Sequence, residues 1–404
     1  MQMKIGIINL NMQARGGGEK RTLVLAEHLS RSHQVWLFVN EPLDRPALER
    51  YFDVDLSRIS FVSLNQDEQS IAKSQYRSRR GRFDDLSAQL SPFRRIKALQ
   101  LDLFINNSQG SILPCPSARG IYMCMFPDKP STPNRNSSLR RAYHLFVDRV
   151  EQRLLGCSVP GFLDSYSAVT ANSNFTAEWV NRMWGRRAEV IYSACDNMGP
   201  PVAKEKIILN VGRFTSGGAG TLYKQQQILV DVFKQLTAVQ RDGWQLHFAG
   251  SVARDEETLA LVGRLKDAAK GHSVFFHFDA KLDTLRDLYR RASLYWHATG
   301  YNFPACEQPR LQEHFGMTTI EAMSAGAVPV VINSGGQREV VTHAVDGLLW
   351  DEPSTLADQT VQLINDLHLL ERLSRQAIWS SAKFSRAAFN NSMDLIIGRL
   401  MGES

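Results

Sequence analysis

The feature of this 404-residue sequence that most restricts its fold is an alternation of short apolar runs and helical patterns that begins twice. The first round opens with KIGIINL (4–10), passes through a glycine-rich turn into a helical pattern, and returns to an extended run at HQVWLFVN (33–40). The second round opens with KIILNVGR (206–213). Strands that alternate with helices form parallel sheets. We therefore predict an α/β protein with two doubly wound domains.

A Gly-Pro-Pro break inside CDNMGPPVAKE (195–205) separates the two rounds. The predicted domains are an N-terminal one at 1–200 and a second at 201–385. A C-terminal helix at 386–404 is predicted to pack back toward the first domain. Ligands of doubly wound sheets bind beyond the carboxyl ends of the strands, so we expect a ligand cleft between the two domains.

Two further segments of the first domain have local patterns of their own. Residues 109–138 are rich in Ser, Pro and Gly and are predicted to be mostly loop. The following segment, LRRAYHLFVDRVEQRLL (139–155), has apolar residues at helical spacing and predicts an amphipathic helix. The apolar side of that helix faces either the core or a membrane surface.

Composition excludes several classes of protein. Hydrophobic residues make up 43% of the chain and charged residues 22%, which is typical of a soluble globular protein. No apolar run approaches the roughly 18 residues that span a bilayer, and the N-terminus lacks the apolar core of a signal peptide. The five cysteines are an odd number without metal-ligand spacing. They predict reduced thiols in a cytoplasmic protein.

Positive charge is concentrated in the first half of the chain. Residues 1–200 hold 26 Lys/Arg and 19 Asp/Glu, a net of +7, whereas the remainder holds 21 and 22, a net of −1. Much of the surplus lies in the basic segment Lys73–Lys97. Either this segment is a solvated surface, or it faces an anionic lipid or a phosphate-bearing acceptor. No recognisable nucleic-acid-binding module accompanies it, so nucleic acid is not the expected partner.

Two cations follow the first strand of the second domain. In VGRFTSGGAGTLYKQ (211–225), Arg213 comes just after the strand and Lys224 follows a glycine-rich loop. A guanidinium offers a bidentate fork and an ammonium offers a point charge, and together they suit a diphosphate. Surface cations are also common, so this pair alone does not establish a diphosphate site.

Two carboxylates, Glu313 and Glu321, lie eight residues apart in EHFGMTTIEAMSAGAVPVVINSGG (313–336). Gly316 weakens helix at that point, which places Glu313 on a loop and Glu321 inside the following helix. The N–H groups at the start of that helix could bind a phosphate. A glutamate capping network in a helix-initiating turn is the other interpretation.

A third glycine-rich stretch, RGGGE (15–19), follows the first strand of the chain. It lacks the order of glycines of a dinucleotide site and the Gly-Lys-Ser/Thr of a P-loop. It is either a tight strand-to-helix turn, or a place where Gly17 and Gly18 let the backbone approach a ligand held mainly by the second domain.

These motifs, in this order, resemble the retaining glycosyltransferases of family GT4. EHFGMTTIEAMSAGAVPVV is similar to the family's motif of two glutamates separated by seven residues, and VGRF…YKQ to its Gly-Arg…Lys element. RGGGE is similar to its glycine loop, and TANSNFTAEWV (170–180) to the segment that ends its first domain. Within the family, the motifs most resemble those of the subgroup that includes dolichol-linked α-1,2-mannosyltransferases. The resemblance implies a GT-B fold, two Rossmann-like domains that face each other across a cleft.

The resemblance also implies a role for each matching residue. Glu321 would hold the ribose hydroxyls of a nucleotide, and Glu313 would bind hydroxyls of the donor sugar near its reacting face. Arg213 and Lys224 would neutralise the leaving diphosphate, so that no metal ion is needed. Backbone N–H groups would contact the sugar and the β-phosphate at Phe315, Gly316, Met317 and Thr318.

The sequence departs from the family pattern at two places. Met125, in YMCMFPDKP (122–130), stands where related enzymes carry a histidine, and Asp128 is a weak candidate to replace it. The loop YNFPACEQPRLQ (301–312) is longer than usual, borders the expected donor site and is a candidate to shape the choice of sugar. His297, just before this loop, is either a core histidine or a ligand contact.

The predicted function is transfer of a hexose from a nucleoside diphosphate sugar to a hydroxyl of a lipid-linked or other glycan acceptor, with retention of configuration. GDP-mannose is the first expected donor and a UDP-hexose the second. Peripheral contact between the basic first domain and an anionic membrane, at its inner face, accompanies the lipid-linked alternative. The alternatives are a soluble disaccharide or sugar-phosphate synthase of the same fold, and a nucleotide-sugar-binding protein without catalysis.

Overall fold

A computed structural model of the protein describes residues 2–14, 16–64, 82–128, 138–218 and 220–402. The chain forms two compact units. One consists of Met1–Tyr192 with Asn390–Ser404, and the other of Ser193–Phe389. Arg15 and the part of the basic segment Lys73–Lys97 that precedes residue 82 lie outside the described residues.

The first unit is built on a parallel sheet of seven strands. The strands are β1 (Lys4–Ile8), β2 (Gln34–Val39), β3 (Ile59–Ser63), β4 (Leu103–Asn106), β5 (Gly120–Cys124), β6 (Ala168–Ala171) and β7 (Glu189–Val190). Their spatial order is β3-β2-β1-β4-β5-β6-β7. The helices that join them are α1 (Gly17–Ser30), α2 (Arg45–Phe52), α3 (Arg82–Lys97), α4 (Ser138–Leu155) and α5 (Asn174–Trp184).

The second unit repeats this plan with a parallel sheet of six strands and a separate two-stranded hairpin. The strands are β8 (Glu205–Val211), β9 (Ser216–Gly218), β10 (Thr221–Leu222), β11 (Gln245–Gly250), β12 (Val274–Phe278), β13 (Ala292–His297), β14 (Val328–Ile332) and β15 (Leu348–Trp350). The six-stranded sheet has the order β12-β11-β8-β13-β14-β15, and β9 pairs with β10.

Helices join the strands of the second unit along most of its length. They are α6 (Gln226–Gln235), α7 (Thr237–Arg241), α8 (Glu256–Ala269), α9 (Leu282–Arg291), α10 (Met317–Ser324), α11 (Gln337–Val340), α12 (Pro353–Asn365) and α13 (Leu367–Ser381). A last helix, α14 (Arg386–Met401), follows them. Within the first unit, Asp394 of this helix pairs with His28 at 2.8 Å and Arg399 pairs with Glu189 at 2.6 Å.

Complete burial of the central strands is what parallel sheets require. Every residue of β13 and β14 is buried, so these strands present no polar face to water. Strands buried on both faces are typical of parallel sheets that are covered by helices on each side. In each sheet the strand order reverses direction beside the first strand, at β1/β4 and at β8/β13, as in the doubly wound dinucleotide-binding fold. The predicted α/β fold of two Rossmann-like domains is confirmed.

One strand was not predicted. Residues 109–138 were predicted to be mostly loop, and the described part of this segment is mostly loop, but Gly120–Cys124 form β5, which lies between β4 and β6 and is entirely buried. The strand has only five residues between Ser- and Pro-rich segments, so its sequence shows no periodicity from which it could be predicted. Pairing with β4 on one side and β6 on the other stabilises it instead.

Helix α4 confirms the amphipathic helix predicted at 139–155. Val147 and Leu155 are buried, so one side of the helix packs on the unit. Leu145 and Phe146 are 53% and 59% exposed, so another side presents apolar surface. No helix within the described parts of the chain has the length and apolar character needed to cross a membrane.

Candidate functional site

The functional residues predicted in the second unit lie around the switch point of its sheet. Arg213 comes two residues after β8, and His297 is the last residue of the neighbouring strand β13. Gly212 is in close contact with β11, since a Cβ at Gly250 would lie 2.1 Å from the Gly212 carbonyl oxygen. The reversal of strand order leaves room beyond these carboxyl ends, which is where such sheets bind ligands.

The glycine-rich connection between the two predicted cations folds as the β9–β10 hairpin, with Ala219 outside the described residues. Lys224 follows this hairpin, and its Nζ lies 2.6 Å from Glu313 Oε2. The neighbouring Tyr223 hydroxyl donates to the carbonyl oxygens of Arg310 and Gln312 at 3.0 and 3.1 Å. The hairpin thus fixes one predicted cation against one predicted carboxylate.

Arg213 differs from Lys224 in its contacts. Its carbonyl oxygen accepts from the Gln226 amide at 3.4 Å. Its guanidinium makes no hydrogen bond with any residue that the structure describes. A guanidinium that no described residue engages, at the end of a central strand, can bind an anionic ligand without first breaking an ion pair to one of those residues.

Glu313 is the centre of the polar cluster. Besides Lys224, its Oε2 lies 3.1 Å from Nε2 of the buried His297. Burial opposes ionisation of this carboxyl, but the Lys224 ammonium and the His297 hydrogen bond hold its pKa well below the ordinary value. Glu313 is therefore a carboxylate at neutral pH and accepts hydrogen bonds only.

Glycines position the loop that carries Glu313. The Gly336 N–H donates to the Glu313 carbonyl oxygen at 2.7 Å, and a Cβ at Gly335 would lie 2.3 Å from that same oxygen. The fully buried Gln312 donates to the Phe303 carbonyl at 2.7 Å and accepts from Ser334 at 2.5 Å. The segment Asn-Ser-Gly-Gly after β14 thus holds the loop that carries Glu313 in position.

Helix α10 begins next to this carboxylate. Gly316 precedes it with φ 111°, a left-handed conformation that favours glycine. The N–H groups of the first turn, which begins at Met317 and Thr318, have no partner inside a helix and can bind an anion. The Thr318 hydroxyl accepts from Tyr295 at 2.7 Å, and Phe315 is buried.

Glu321 lies on the same helix and has a different partner. Its Oε2 accepts from the Tyr289 hydroxyl at 3.1 Å, and the residue is 6% exposed. Burial and the carboxylate together raise the pKa of Tyr289 well above its ordinary value, so the phenol keeps its proton and remains a donor. The two predicted carboxylates are therefore held by two separate sets of partners.

The first unit brings two other predicted residues together. Gly17 and Gly18 begin α1, and a Cβ at Gly18 would lie 2.4 Å from the Met125 sulfur. The Met125 carbonyl accepts from Thr176, and the Asp128 carbonyl accepts from the Trp184 indole at 2.8 Å. A larger residue at position 18 would therefore collide with Met125, the side chain predicted to stand at the position of the family's histidine.

Sequence reasoning missed two tyrosines of the cluster in the second unit. Tyr223 holds the loop that carries Glu313, and Tyr289 donates to Glu321. His297, which contacts Glu313, was left open between a core histidine and a ligand contact. The available signal was its position at the end of a central strand, where side chains point toward the ligand side of a parallel sheet.

Comparison with known proteins agrees with this geometry. Residues 198–379 match the family model described as glycosyl transferases group 1. This range contains every predicted site residue of the second unit. The predicted resemblance to GT4-type glycosyltransferases related to dolichol-linked mannosyltransferases is confirmed.

Two curated mannosyltransferases are similar to the chain. The GDP-Man:Man(3)GlcNAc(2)-PP-Dol alpha-1,2-mannosyltransferase of Yarrowia lipolytica is 27% identical over 219 residues, which is 48% of this chain and 32% of the relative. The alpha-1,3/1,6-mannosyltransferase ALG2 of Rhizomucor pusillus is 23% identical over 363 residues, or 78% and 76% of the two chains. The chain thus spans about a third of the first relative's length and about three quarters of the second's.

A solved structure shows the same architecture. Anabaena Alr3699/HepE, crystallised with UDP and glucose, superposes with a TM-score of 0.66 and 17% identity, over 98% of this chain and all of the other. At this identity the likeness concerns the fold. The predicted GT-B fold of two Rossmann-like domains is confirmed.

Proposed function

We propose that this glycosyltransferase-family protein moves a hexose from a nucleoside diphosphate sugar to a hydroxyl of a glycan or lipid-linked acceptor, with retention of configuration. The observation that carries the proposal is the contact of Lys224 and His297 with one oxygen of Glu313, beyond the carboxyl ends of β8 and β13. That cluster combines a fixed carboxylate for sugar hydroxyls with a cation for a leaving phosphate.

The reaction assigns a task to each group. Arg213, Lys224 and the first-turn N–H groups of α10 stabilise negative charge that develops on the diphosphate. The bond from the anomeric carbon to phosphate breaks, the acceptor oxygen bonds to the same face of that carbon, and the acceptor proton passes to a β-phosphate oxygen. Glu313 binds hydroxyls of the transferred sugar, and Glu321 binds the ribose. Two protein cations supply the charge for which other enzymes use a metal ion.

The two units have different roles in this proposal. The second unit binds the nucleotide sugar and the first receives the acceptor. We assign Gly17 and Gly18 to close backbone approach to the ligand, and place Met125 and Asp128 on the acceptor side. The contact between Gly18 and Met125 supports treating the glycine turn and the Met125 strand end as one surface.

The donor base is tested by thermal unfolding with GDP, UDP and ADP in separate samples. Ligand at about 100 times its dissociation constant adds roughly 2.7 kcal/mol to the free energy of unfolding. For units of this size the midpoint should rise by about 5–10 °C. We expect GDP to give the largest shift, in line with the GDP-mannose donor named for the Yarrowia relative. UDP is the second expectation, because the Anabaena structure holds it.

Two controls make this result specific. The shift should persist in EDTA, because Arg213 and Lys224 take the place of a metal ion; a shift that requires Mg²⁺ would contradict the metal-free proposal. Product formation from the stabilising nucleotide's sugar must follow. Binding without turnover over a broad panel of acceptors would instead favour a nucleotide-sugar-binding protein without catalysis.

The acceptor class is tested with anionic lipid vesicles. Helix α4 exposes Leu145 and Phe146, and exposed Arg149 and Arg153 follow on the same helix. Apolar and cationic side chains together suit an anionic lipid surface. We expect the protein to sediment with such vesicles, and Leu145→Ser/Phe146→Ser to weaken binding by about tenfold or more.

The matched control is Trp379→Ser. Trp379 is 75% exposed on α13 of the other unit, so its loss removes a similar apolar surface away from α4. Equal weakening by both variants would mean nonspecific adsorption. No sedimentation of the wild type would contradict a membrane-borne acceptor and favour a soluble disaccharide or sugar-phosphate synthase.

A further inference from the structure

The buried histidine at the end of β13 has contacts that the proposed reaction does not yet use. His297 is 2% exposed, and its Nε2 lies 3.1 Å from both Glu313 Oε2 and Thr299 Oγ1. Its Nδ1 is buried and has no hydrogen-bond partner among the described residues. The polar contacts of this ring are thus made by one nitrogen alone, and one of them is to the predicted sugar-binding carboxylate.

The chemistry of the partners determines the tautomer of this ring. An ionised carboxylate only accepts, so Nε2 must carry the proton that it shares with Glu313. A charged imidazolium would place a second N–H at Nδ1, where none of the described residues supplies an acceptor, and a buried unpaired donor is costly. Burial also lowers the pKa of His297. The ring is therefore neutral and protonated at Nε2.

The two donors to Glu313 differ in their freedom to move. Lys224 and His297 both contact Oε2, which leaves Oε1 to accept from a ligand hydroxyl. The Lys224 side chain is 20% exposed and sits on a flexible stem, whereas the His297 side chain is 2% exposed and packed at a strand end. An arriving diphosphate offers Lys224 a second anion, but it cannot attract a neutral, buried ring in the same way.

We propose that His297 is a positioning residue whose Nε2–H holds Oε2 of Glu313, so that Oε1 keeps its direction toward the donor sugar when Lys224 pairs with the diphosphate. This inference rests on the proposed function, because it takes Glu313 to be the sugar-binding carboxylate. It gives a role to a buried histidine whose polar contacts are made by Nε2 alone.

The kinetic test compares two substitutions of His297 with a matched control. His297→Phe keeps the ring shape without the donor, and His297→Gln restores an N–H of similar reach. His247→Phe is the control, because His247 is a 7% exposed histidine in the same sheet whose nitrogens contact Gln245 and His277. The measurements are kcat and KM for the sugar nucleotide, and Kd for the free nucleoside diphosphate.

We expect His297→Phe to lower kcat by about 10²-fold, as a misdirected reactive group does, with Kd for the diphosphate within about threefold. His297→Gln should recover most of the loss, and His247→Phe should leave kcat near the wild type. Unchanged kcat in His297→Phe would overturn the proposal. So would failure of the glutamine to rescue, or an equal loss of diphosphate affinity, since either result indicates general disruption of the site.

A second measurement does not depend on turnover. The ¹⁵N spectrum of histidine-labelled protein, with His297→Gln to assign the signal, reports which ring nitrogen carries the proton. We expect a neutral ring protonated at Nε2, with a signal that moves in Glu313→Gln. A ring protonated at Nδ1, or a charged ring, would overturn the positioning role. A wild type that transfers no sugar but shows the expected tautomer would contradict only the proposed function.

Discussion

Replacing Glu313 by glutamine should lower kcat for sugar transfer by about 10³-fold, the scale seen when one group that stabilises a transition state is removed. Glutamine has nearly the same volume but no charge. It leaves Lys224 without its counter-ion at 2.6 Å and offers an amide in place of a carboxylate oxygen to the sugar hydroxyl. The measurement is steady-state turnover with the donor that stabilises the protein.

The same substitution should change binding of the free nucleoside diphosphate far less. Glu313 contacts the sugar in this proposal, and a diphosphate without sugar lacks that partner. Lys224 then pairs with phosphate without first breaking an ion pair, so affinity should stay within a few-fold or rise. Loss of turnover and of diphosphate affinity in parallel would show that the site had been disrupted as a whole.

Glu256→Gln is the matched control. Glu256 is an exposed carboxylate in the first turn of α8, outside the predicted site, and its substitution changes the net charge by the same amount. Turnover in this variant should stay near that of the wild type. Near-normal turnover in Glu313→Gln would remove Glu313 from the proposed reaction.

Replacing Glu321 by glutamine should weaken binding of the nucleoside diphosphate by about 30- to 150-fold. This range corresponds to about 2–3 kcal/mol, the strength expected of charge-assisted hydrogen bonds to ribose hydroxyls. Glu321 is 6% exposed, so water cannot easily replace the lost interaction. Isothermal titration with GDP and UDP measures the change directly, without any acceptor.

Tyr289→Phe tests the hydrogen bond that orients Glu321 while leaving the Glu321 carboxylate in place. The Tyr289 hydroxyl donates to Glu321 Oε2 at 3.1 Å, so its removal leaves the charge in place and loosens only its orientation. We expect a loss of affinity of about threefold to tenfold, smaller than that of Glu321→Gln. Unchanged affinity in Glu321→Gln would show that this carboxylate does not bind the nucleotide.

Local patterns in the sequence determined the general architecture. Buried strands such as KIILNV, and glycines at the ends of β8 and β11, are visible because burial on both faces and close backbone approach restrict residue type directly. The spacing of Glu313 and Glu321 across Gly316 likewise placed one on a loop and the other in a helix, as the structure has them. The family motifs could be read for the same reason, since they are continuous in the chain.

Tertiary structure alone decided which side chains meet. Lys224 and Glu313 are 89 residues apart, and Glu321 lies 32 residues from Tyr289. His297 reaches Glu313 because the loop after β13 folds back against the segment that follows β14, where the Gly336 N–H donates to the Glu313 carbonyl oxygen. Strand β5 was missed because its stability comes from its neighbours. Local sequence determines periodicity and turns, whereas contacts between distant side chains depend on strand order and packing, which no short stretch of residues specifies.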